Sequence, residues 1–259
     1  MAESPVKVVW GIPTEGFTNP MSLQSLLLMS FHIGRLSSAG EFEFFYRTSG
    51  RLFTPMARES ILDYALGIDA DYAFMVDDDM VCPPDLFEAL YRHQVDIVSA
   101  LAFTRNPPHN PVLYRIKEGW DPVNRREYVV TQDVRCYPRD KLVECDATGF
   151  GAVLIDMRIV KKMKRPYFMS SCGTGEDILF CIKARKEAGA HVFMDTSVKL
   201  GHVGHPVIIT EETSEKYNDP EMMEKLFGPY EKHRVLDVIA PPKIPQNDEG
   251  EAVLSGVSG

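Results

Sequence analysis

The chain has 259 residues, of which 44% are hydrophobic and 25% are charged, so a wholly disordered protein is excluded. Lys and Arg number 28 against 37 Asp and Glu, and the net charge of −9 argues against duplex nucleic acid as the main partner. No apolar run reaches the roughly 18 residues that a transmembrane helix needs. The N-terminus does not resemble a signal peptide, and the five cysteines are scattered, so a cytoplasmic location is predicted.

Strand and helix patterns alternate through the first 103 residues. In the first helix, the helical period is followed by Leu23, Leu26, Leu27, Ser30 and Ile33. We predict strands at residues 6–10, 42–46, 72–76 and 96–103, and helices at residues 21–38, from Pro55 onward, and 83–93. Such alternation is typical of an α/β fold with a doubly wound, mainly parallel sheet.

The pattern changes after Phe103, where prolines are frequent and the β runs are short. We predict a β-rich insert over the sheet edge, with β runs at residues 112–116, 127–130 and 141–144. The later elements are predicted as strands at residues 152–155, 191–194 and 198–202, a short helix from Arg158, a helix at 176–188 ended by Gly189, and a possible helix at 221–227.

The predicted elements suggest one folded domain with a polar C-terminal extension. We expect the domain to span residues 1–206, as an N-terminal half, 1–103, and a second half, 104–206. An extension would follow at residues 207–240, and residues 241–259 have the composition of a mobile tail.

Three successive acids, Asp77, Asp78 and Asp79, follow an entirely apolar predicted strand. Carboxylates this close raise one another's pKa unless a cation neutralises them. The carboxyl ends of parallel strands are also where α/β folds bind ligands, and hard oxygen ligands suit Mg²⁺ or Mn²⁺. The competing interpretation is a solvated turn whose acids cap the next helix.

Val-Asp-Asp-Asp after a hydrophobic strand resembles the DxD motif of GT-A-type nucleotide-sugar-dependent glycosyltransferases. The resemblance implies a GT-A, Rossmann-like fold and a divalent metal, Mn²⁺ or Mg²⁺, that bridges the diphosphate of a UDP- or GDP-sugar. It further implies that Asp79 binds the metal directly. Asp77 is also expected at the metal site, where it would hold the ribose or a metal-bound water, and Asp78 would belong to the same nucleotide-binding set.

Two further segments resemble the nucleotide-binding parts of that family. Pro13, Thr14 and Glu15 follow the first predicted strand, although an ordinary loop would look the same. The resemblance also implies that Arg58, in the segment TPMARES, reaches the nucleotide phosphates. A solvated surface arginine is the alternative.

The second half carries two segments that the resemblance assigns to the acceptor side. Thr148, Gly149, Phe150 and Gly151 resemble the loop beside donor sugar and acceptor, whereas a plain tight turn also explains the glycines. In Gly175-Glu176-Asp177, Asp177 is the implied catalytic base, and Glu176 would contact sugar or acceptor hydroxyls. The alternative is a capping box formed by Thr174 and Asp177.

Two histidines lie in the loop after the last predicted core strand. The resemblance implies that a histidine near the end of the catalytic core is a metal ligand, and His202 fits that role better than His205. His205 is then expected in the substrate or acceptor loop.

The predicted function is metal-dependent transfer of a sugar to an acceptor hydroxyl, with inversion. The acceptor stays open among a glycan, a protein, a small molecule and a modified nucleobase, and so does the oligomeric state. One rival is a haloacid-dehalogenase-like phosphatase with Asp77 as nucleophile and Asp79 as acid/base, although that motif normally lies on the first strand. The other rivals are a sugar nucleotidyltransferase and a non-catalytic metal- or sugar-binding module.

Overall fold

A computed structural model of the chain describes residues 4–14, 16, 19–50, 52–121, 126–170, 174–204 and 208–217. Of residues 120, 121 and 126–129 it describes the backbone alone. The predictions for Glu15, for His205, for the helix at 221–227 and for the tail lie outside the described residues.

The elements of the first half follow the predicted alternation. In chain order they are β1 (Val6–Thr14), α1 (Pro20–Ala39), β2 (Phe42–Gly50), α2 (Thr54–Gly67), β3 (Tyr72–Val76), β4 (Met80–Val81), α3 (Leu86–Tyr91) and β5 (Ile97–Leu101). Strand β1 continues four residues beyond its predicted end, which carries Pro13 and Thr14 to the rim of the sheet.

The second half is richer in strands, as predicted. It contains β6 (Leu113–Asp121), β7 (Arg126–Asp133), β8 (Leu142–Cys145), β9 (Ala147–Thr148), β10 (Ala152–Asp156), α4 (Met157–Val160), α5 (Glu176–Ala188), β11 (Val192–Lys199), β12 (Gly201–Val203), β13 (Ile208–Ile209) and α6 (Glu211–Tyr217). Helix α5 begins and ends at the residues predicted for it, and Gly189 ends it in a left-handed conformation with φ 67°.

A seven-stranded sheet in the order β2-β1-β3-β10-β5-β11-β8 forms the centre of the fold. Strands β2, β1, β3, β5 and β11 run in one direction, whereas β10 and β8 run against their neighbours. Strand β10 starts opposite Val76, at the carboxyl end of β3, because the insert returns the chain to that edge of the sheet. The predicted α/β class with a mainly parallel sheet is therefore confirmed, with a mixed centre.

Both faces of the central sheet are covered. Phe74 of β3 packs with Phe87 of α3 on one face, and the next residue, Met75, packs with Ile61 of α2 on the other. Phe74 and Met75 are fully buried, as the apolar sequence of this strand predicts. The strand that precedes the three aspartates is thus held from both sides.

The residues that helix α1 buries in the core only partly match those predicted from the helical period. Its buried residues are Ser22, Ser25, Leu26, Met29 and Ile33. The Ser25 hydroxyl donates hydrogen bonds to the carbonyls of Ser22 and Met80, and these small side chains let the helix approach β4. Leu23 and Leu27 are half exposed as a result. None of the described helices has the length and apolar character to cross a membrane.

Two small three-stranded sheets accompany the central one, and one of them positions His202 beside the three aspartates. Strand β12 pairs with β4, which places His202 opposite Met80. Since Met80 directly follows the three aspartates, this pairing brings His202 to their side. The other small sheet has the order β7-β6-β9, and its strands β6 and β7 lie in the predicted insert. The third β run predicted for the insert instead forms β8, an edge strand of the central sheet.

Candidate active site

A cavity of about 540 Å³ opens at the carboxyl edge of the central sheet. The residues that line it are Pro13, Thr14, Asn19, Leu52, Thr54, Ala57, Asp77, Asp78, Asp79, Arg105, His202 and Val203. The structure therefore gathers the end of β1, the three aspartates and His202 around one space, as the sequence predicts.

Thr14, at the end of β1, is joined to the central acid of the three. Its hydroxyl donates a hydrogen bond to the Asp78 carboxylate and accepts one from the Gly16 amide at 3.0 Å. The Thr14 amide in turn donates to the Ser49 hydroxyl of β2 at 3.3 Å. These bonds fix the first loop against the aspartates, where a nucleotide is expected.

Asp77 is held from behind the cavity by Arg58 of α2. Arg58 Nη2 lies 2.8 and 3.0 Å from the two Asp77 carboxylate oxygens, and Nη1 of the same guanidinium bonds to Glu176. Arg58 is only 2% exposed, and its Nη2 also donates to the Phe150 carbonyl at 3.3 Å. This geometry makes Arg58 an internal counter-ion of two acids, and it does not support the predicted contact with phosphates.

Burial and the ion pair between them shift the pKa of both Arg58 and Asp77. Burial raises the pKa of Asp77 to about 6, with Asp79 and Asp177 adding to the effect and Arg58 opposing it. Burial lowers the pKa of Arg58, but the surrounding acids outweigh burial and raise it overall. The crowded acids therefore depend on Arg58 for their charge compensation.

Asp79 and His202 face each other at the open side of the cavity. His202 Nδ1 lies 2.7 Å from the Phe103 carbonyl, which can only accept, so Nδ1 carries a proton. Nε2, the other ring nitrogen, lies 3.3 Å from Asp79 Oδ2. In neutral His202 this nitrogen presents a lone pair to a carboxylate, an arrangement that calls for a proton or a cation between them.

The pKa values of this pair shift in opposite directions. Burial raises the pKa of Asp79, but the hydrogen bond with His202 and the charges on His202 and Arg105 lower it overall. Burial lowers the pKa of His202, but Asp79 outweighs burial and raises it. Asp79 is therefore held as an ionised carboxylate.

The side-chain atoms that could bind a metal here fit a divalent cation in part. Two adjacent ligands of an octahedral ion, with bonds of about 2.1 Å, lie about 3 Å apart, close to the separation of Asp79 Oδ2 and His202 Nε2. Asp77, predicted as a further ligand, has both oxygens on Arg58. Across the described residues no group of three or more His, Cys, Asp and Glu side chains is arranged to hold a metal. Oxygens from water or from a bound ligand would have to complete the coordination.

Glu176 and Asp177 begin helix α5 behind the cavity. The carboxylate of Glu176 bonds to Arg58, and Asp177 Oδ1 accepts from the Ile178 amide at 2.8 Å. Burial raises the pKa of Asp177, with Glu176 adding to the rise and Arg58 opposing it. The helix is capped by Gly175 without a side-chain hydrogen bond, so the alternative capping box with Thr174 is not formed.

The segment from Thr148 to Gly151 lies in the core beneath the site. Thr148 is fully buried and its hydroxyl lies 2.6 Å from that of Ser99, while Phe150 is 1% exposed and packs against Phe180. The Gly151 carbonyl accepts from the Asp77 amide at 2.9 Å. These contacts support Asp77 from behind, and they leave the side chains of Thr148 and Phe150 away from any sugar.

Arg105 lines the cavity, although it is not predicted as a site residue from the sequence. It lies in the loop after β5 and bonds to Asp79 Oδ2. No motif marks it, but it is a basic residue just beyond the carboxyl end of a buried parallel strand, where ligands bind. A search of strand ends for charged residues would have found it.

No protein-family model matches the chain, and no curated protein sequence matches it. Among solved structures, A197 from STIV is similar with a TM-score of 0.54 and 19% identity, over 80% of this chain and 92% of that one. The catalytic domain of Drosophila beta1,4galactosyltransferase 7 gives a TM-score of 0.41 and 15% identity, over 74% and 67%. UDP-glucose pyrophosphorylase complexed with UDP-glucose gives 0.44 and 10%, over 76% and 92%. The first likeness shows that this chain and A197 share a fold.

Proposed function

We propose that the chain is a glycosyltransferase that uses a nucleoside-diphosphate sugar, UDP- or GDP-linked, together with a divalent cation. The observation that carries this proposal is the approach of Asp79 and His202, which are 123 residues apart in the sequence, at the mouth of the cavity. A carboxylate and an imidazole lone pair at this spacing suit Mn²⁺ or Mg²⁺.

The shape and charge of the cavity suit the donor. Its volume of about 540 Å³ lies within the range of small-molecule sites. The three aspartates would repel a diphosphate unless a cation is bound with it, so donor and cation are expected together. Asp79 and His202 would hold that cation, which when bound takes up the charge that grows on the leaving diphosphate.

Asp177 is the proposed base for the acceptor hydroxyl. Its raised pKa makes it a stronger proton acceptor than an exposed aspartate once it is ionised. Arg58 links Glu176 to Asp77, so the start of α5 is fixed relative to the donor side of the site. As Asp177 takes the acceptor proton, the acceptor oxygen would bond to the anomeric carbon from the face opposite the diphosphate. The bond from that carbon to the diphosphate breaks at the same time, so the configuration inverts.

The bonds of Asp77 argue against the phosphatase alternative. A phosphatase nucleophile needs a carboxylate oxygen that can attack phosphorus. Both Asp77 oxygens accept from buried Arg58, and Asp77 follows the third strand of the chain and not the first.

A product assay tests the proposal. The protein is incubated with UDP- and GDP-sugars, with and without Mn²⁺, and the phosphorus-containing products are separated. We expect Mn²⁺-dependent release of one nucleoside diphosphate, by slow hydrolysis when no acceptor is present. A parallel incubation with a nucleoside triphosphate and a sugar 1-phosphate would identify a nucleotidyltransferase instead if it yields pyrophosphate. Inorganic phosphate with a trapped phosphoaspartate would identify a phosphatase.

A further inference from the structure

The Arg105 guanidinium lies where the cation of the proposed site would lie. Its Nη2 donates to Asp79 Oδ2 and is 3.5 Å from His202 Nε2. The positive charge of Arg105 thus faces both of the side chains that could bind a metal.

Arg105 and a divalent cation compete for the same carboxylate. Asp79 Oδ2 is the oxygen on the His202 side, and it accepts from the guanidinium. Two like charges about 4 Å apart repel each other strongly near a protein surface, and more so when one of them is divalent. A cation bound to Asp79 and His202 therefore requires the guanidinium to leave.

The side chain of Arg105 is placed so that it can leave. It is 55% exposed, and an exposed ion pair of this kind contributes little to stability. The loop that carries it is anchored by its backbone, since the Thr104 amide donates to the Asn110 carbonyl at 2.8 Å and the Val112 amide to the Ala102 carbonyl at 3.0 Å. The side chain can thus move while the loop stays in place.

A diphosphate in the cavity would give the displaced guanidinium a new partner. The planar fork of an arginine bonds two phosphate oxygens at once, and such bonds are stronger than those to neutral acceptors. Arg105 lines the same cavity as Thr14 and Asp78, so its reach covers the proposed donor.

We propose that Arg105 is a built-in substitute for the divalent cation, which neutralises Asp79 beside His202 in the donor-free protein and transfers to the diphosphate when the cation enters. This inference rests on the proposed function. It makes cation and nucleoside diphosphate bind cooperatively, because each one helps to move Arg105 away from its resting place.

The first test measures Mn²⁺ binding without nucleotide, from the electron paramagnetic resonance signal of free Mn²⁺. Arg105→Ala is compared with the wild type and with Arg139→Ala, which removes the same charge from a side chain that is 58% exposed and paired with Glu215, outside the cavity lining. We expect Arg105→Ala to bind Mn²⁺ about two- to fivefold more tightly, because a weak competing ion pair is removed. Arg139→Ala should match the wild type.

Several results would overturn the inference. They are an unchanged or weaker affinity for Mn²⁺ in Arg105→Ala, an equal gain in Arg139→Ala, and no Mn²⁺ binding by any of the three proteins. Arg105→Gln, which keeps a polar side chain without its charge, replaces the alanine variant if thermal unfolding shows that the latter does not fold.

A second titration separates this inference from the proposed function. UDP and GDP are titrated into the wild type and Arg105→Ala at several Mn²⁺ concentrations. We expect the variant to bind the nucleotide more weakly without Mn²⁺ and to lose most of the cooperativity. If neither nucleotide binds either protein, the nucleotide-sugar function is contradicted, whereas tighter Mn²⁺ binding by Arg105→Ala would still support Arg105 as the cation substitute.

Discussion

Two arginines hold the two outer aspartates of the triple, and they do so in opposite ways. The Arg58 side chain is 3% exposed, lies on a helix and bonds to both oxygens of Asp77 and to Glu176. The Arg105 side chain is 55% exposed, lies on a loop and bonds to one oxygen of Asp79. Neighbouring acids of one short motif therefore belong to different parts of the molecule, the first to its framework and the second to its binding surface.

The energetics of the two pairs differ for the same reason. Removing one partner of a buried pair leaves an uncompensated charge at a cost of about 3–5 kcal/mol, whereas an exposed pair contributes about 0–1 kcal/mol. The pKa shifts differ as well: burial outweighs Arg58 and raises the pKa of Asp77 to about 6, whereas at Asp79 burial is outweighed by His202 and Arg105, which lower its pKa. Substitutions at the two arginines test this difference directly.

The largest expected effect is on stability. Arg58→Ala should lower the free energy of unfolding by about 3–5 kcal/mol, because Asp77 and Glu176 lose their shared counter-ion. Arg105→Ala, the matched control, should lower it by less than about 1 kcal/mol. Urea unfolding at neutral pH measures both values. Equal losses in the two variants would contradict the distinction between the two pairs.

Substitution of the proposed base, Asp177, should affect turnover. Asp177→Asn should reduce kcat about 10²–10⁴-fold while leaving nucleotide binding intact, because a general base is removed and the donor contacts stay. In the wild type, the raised pKa of Asp177 should move the acid limb of the kcat profile above the usual range of an aspartate, since the base must be ionised. Single-turnover kinetics and nucleotide titrations separate the two properties. Equal loss of both would remove Asp177 from this role.

The smallest effect that we expect is on the pH dependence of stability, at the buried acid Asp195. Asp195, with 1% of its side chain exposed, lies 2.6 Å from His93 Nε2 and accepts from the Ser197 amide at 2.8 Å. Burial raises the pKa of Asp195, but the hydrogen bonds from His93 and Ser197 lower it to about 2 overall.

Because that pKa is lowered on folding, Asp195 contributes stability above about pH 4 that is lost as the pH falls towards 2. Between pH 5 and 2.5 the wild type should lose about 1–2 kcal/mol more than Asp195→Asn, allowing for solvent screening. Urea unfolding over this range gives the two slopes, and Asp140→Asn, at a side chain that is 69% exposed, serves as the surface control. Parallel curves for wild type and Asp195→Asn would show that Asp195 is not the source.

Much of the fold could be predicted from the sequence because local periodicity determines it. Strand β3 and helix α5 have the predicted bounds, since one is uniformly apolar and the other has a clear glycine stop. The reversed direction of β10 could not be predicted. It depends on where the long insert returns the chain, which no local pattern records.

Part of the candidate site could also be predicted from the sequence. The three aspartates and His202 meet because strand ends collect at one edge of the sheet. The burial of Arg58 could not be predicted, since its partner Glu176 lies 118 residues further along the chain. Arg105 was missed because its role arises from a contact with Asp79 across the cavity and not from a motif.

The proposed role of Asp79 in holding the cation is tested most directly by a calorimetric titration of UDP and GDP, with and without Mn²⁺, into the wild type and Asp79→Asn. Asp85→Asn, at an exposed neighbouring acid outside the cavity lining, is the control. Mn²⁺ should tighten binding of one nucleotide at least about tenfold in the wild type and the control, and should have little effect in Asp79→Asn, because the carboxylate that holds the cation is gone. An equal effect of Mn²⁺ in all three proteins, or no nucleotide binding by the wild type, would contradict the account.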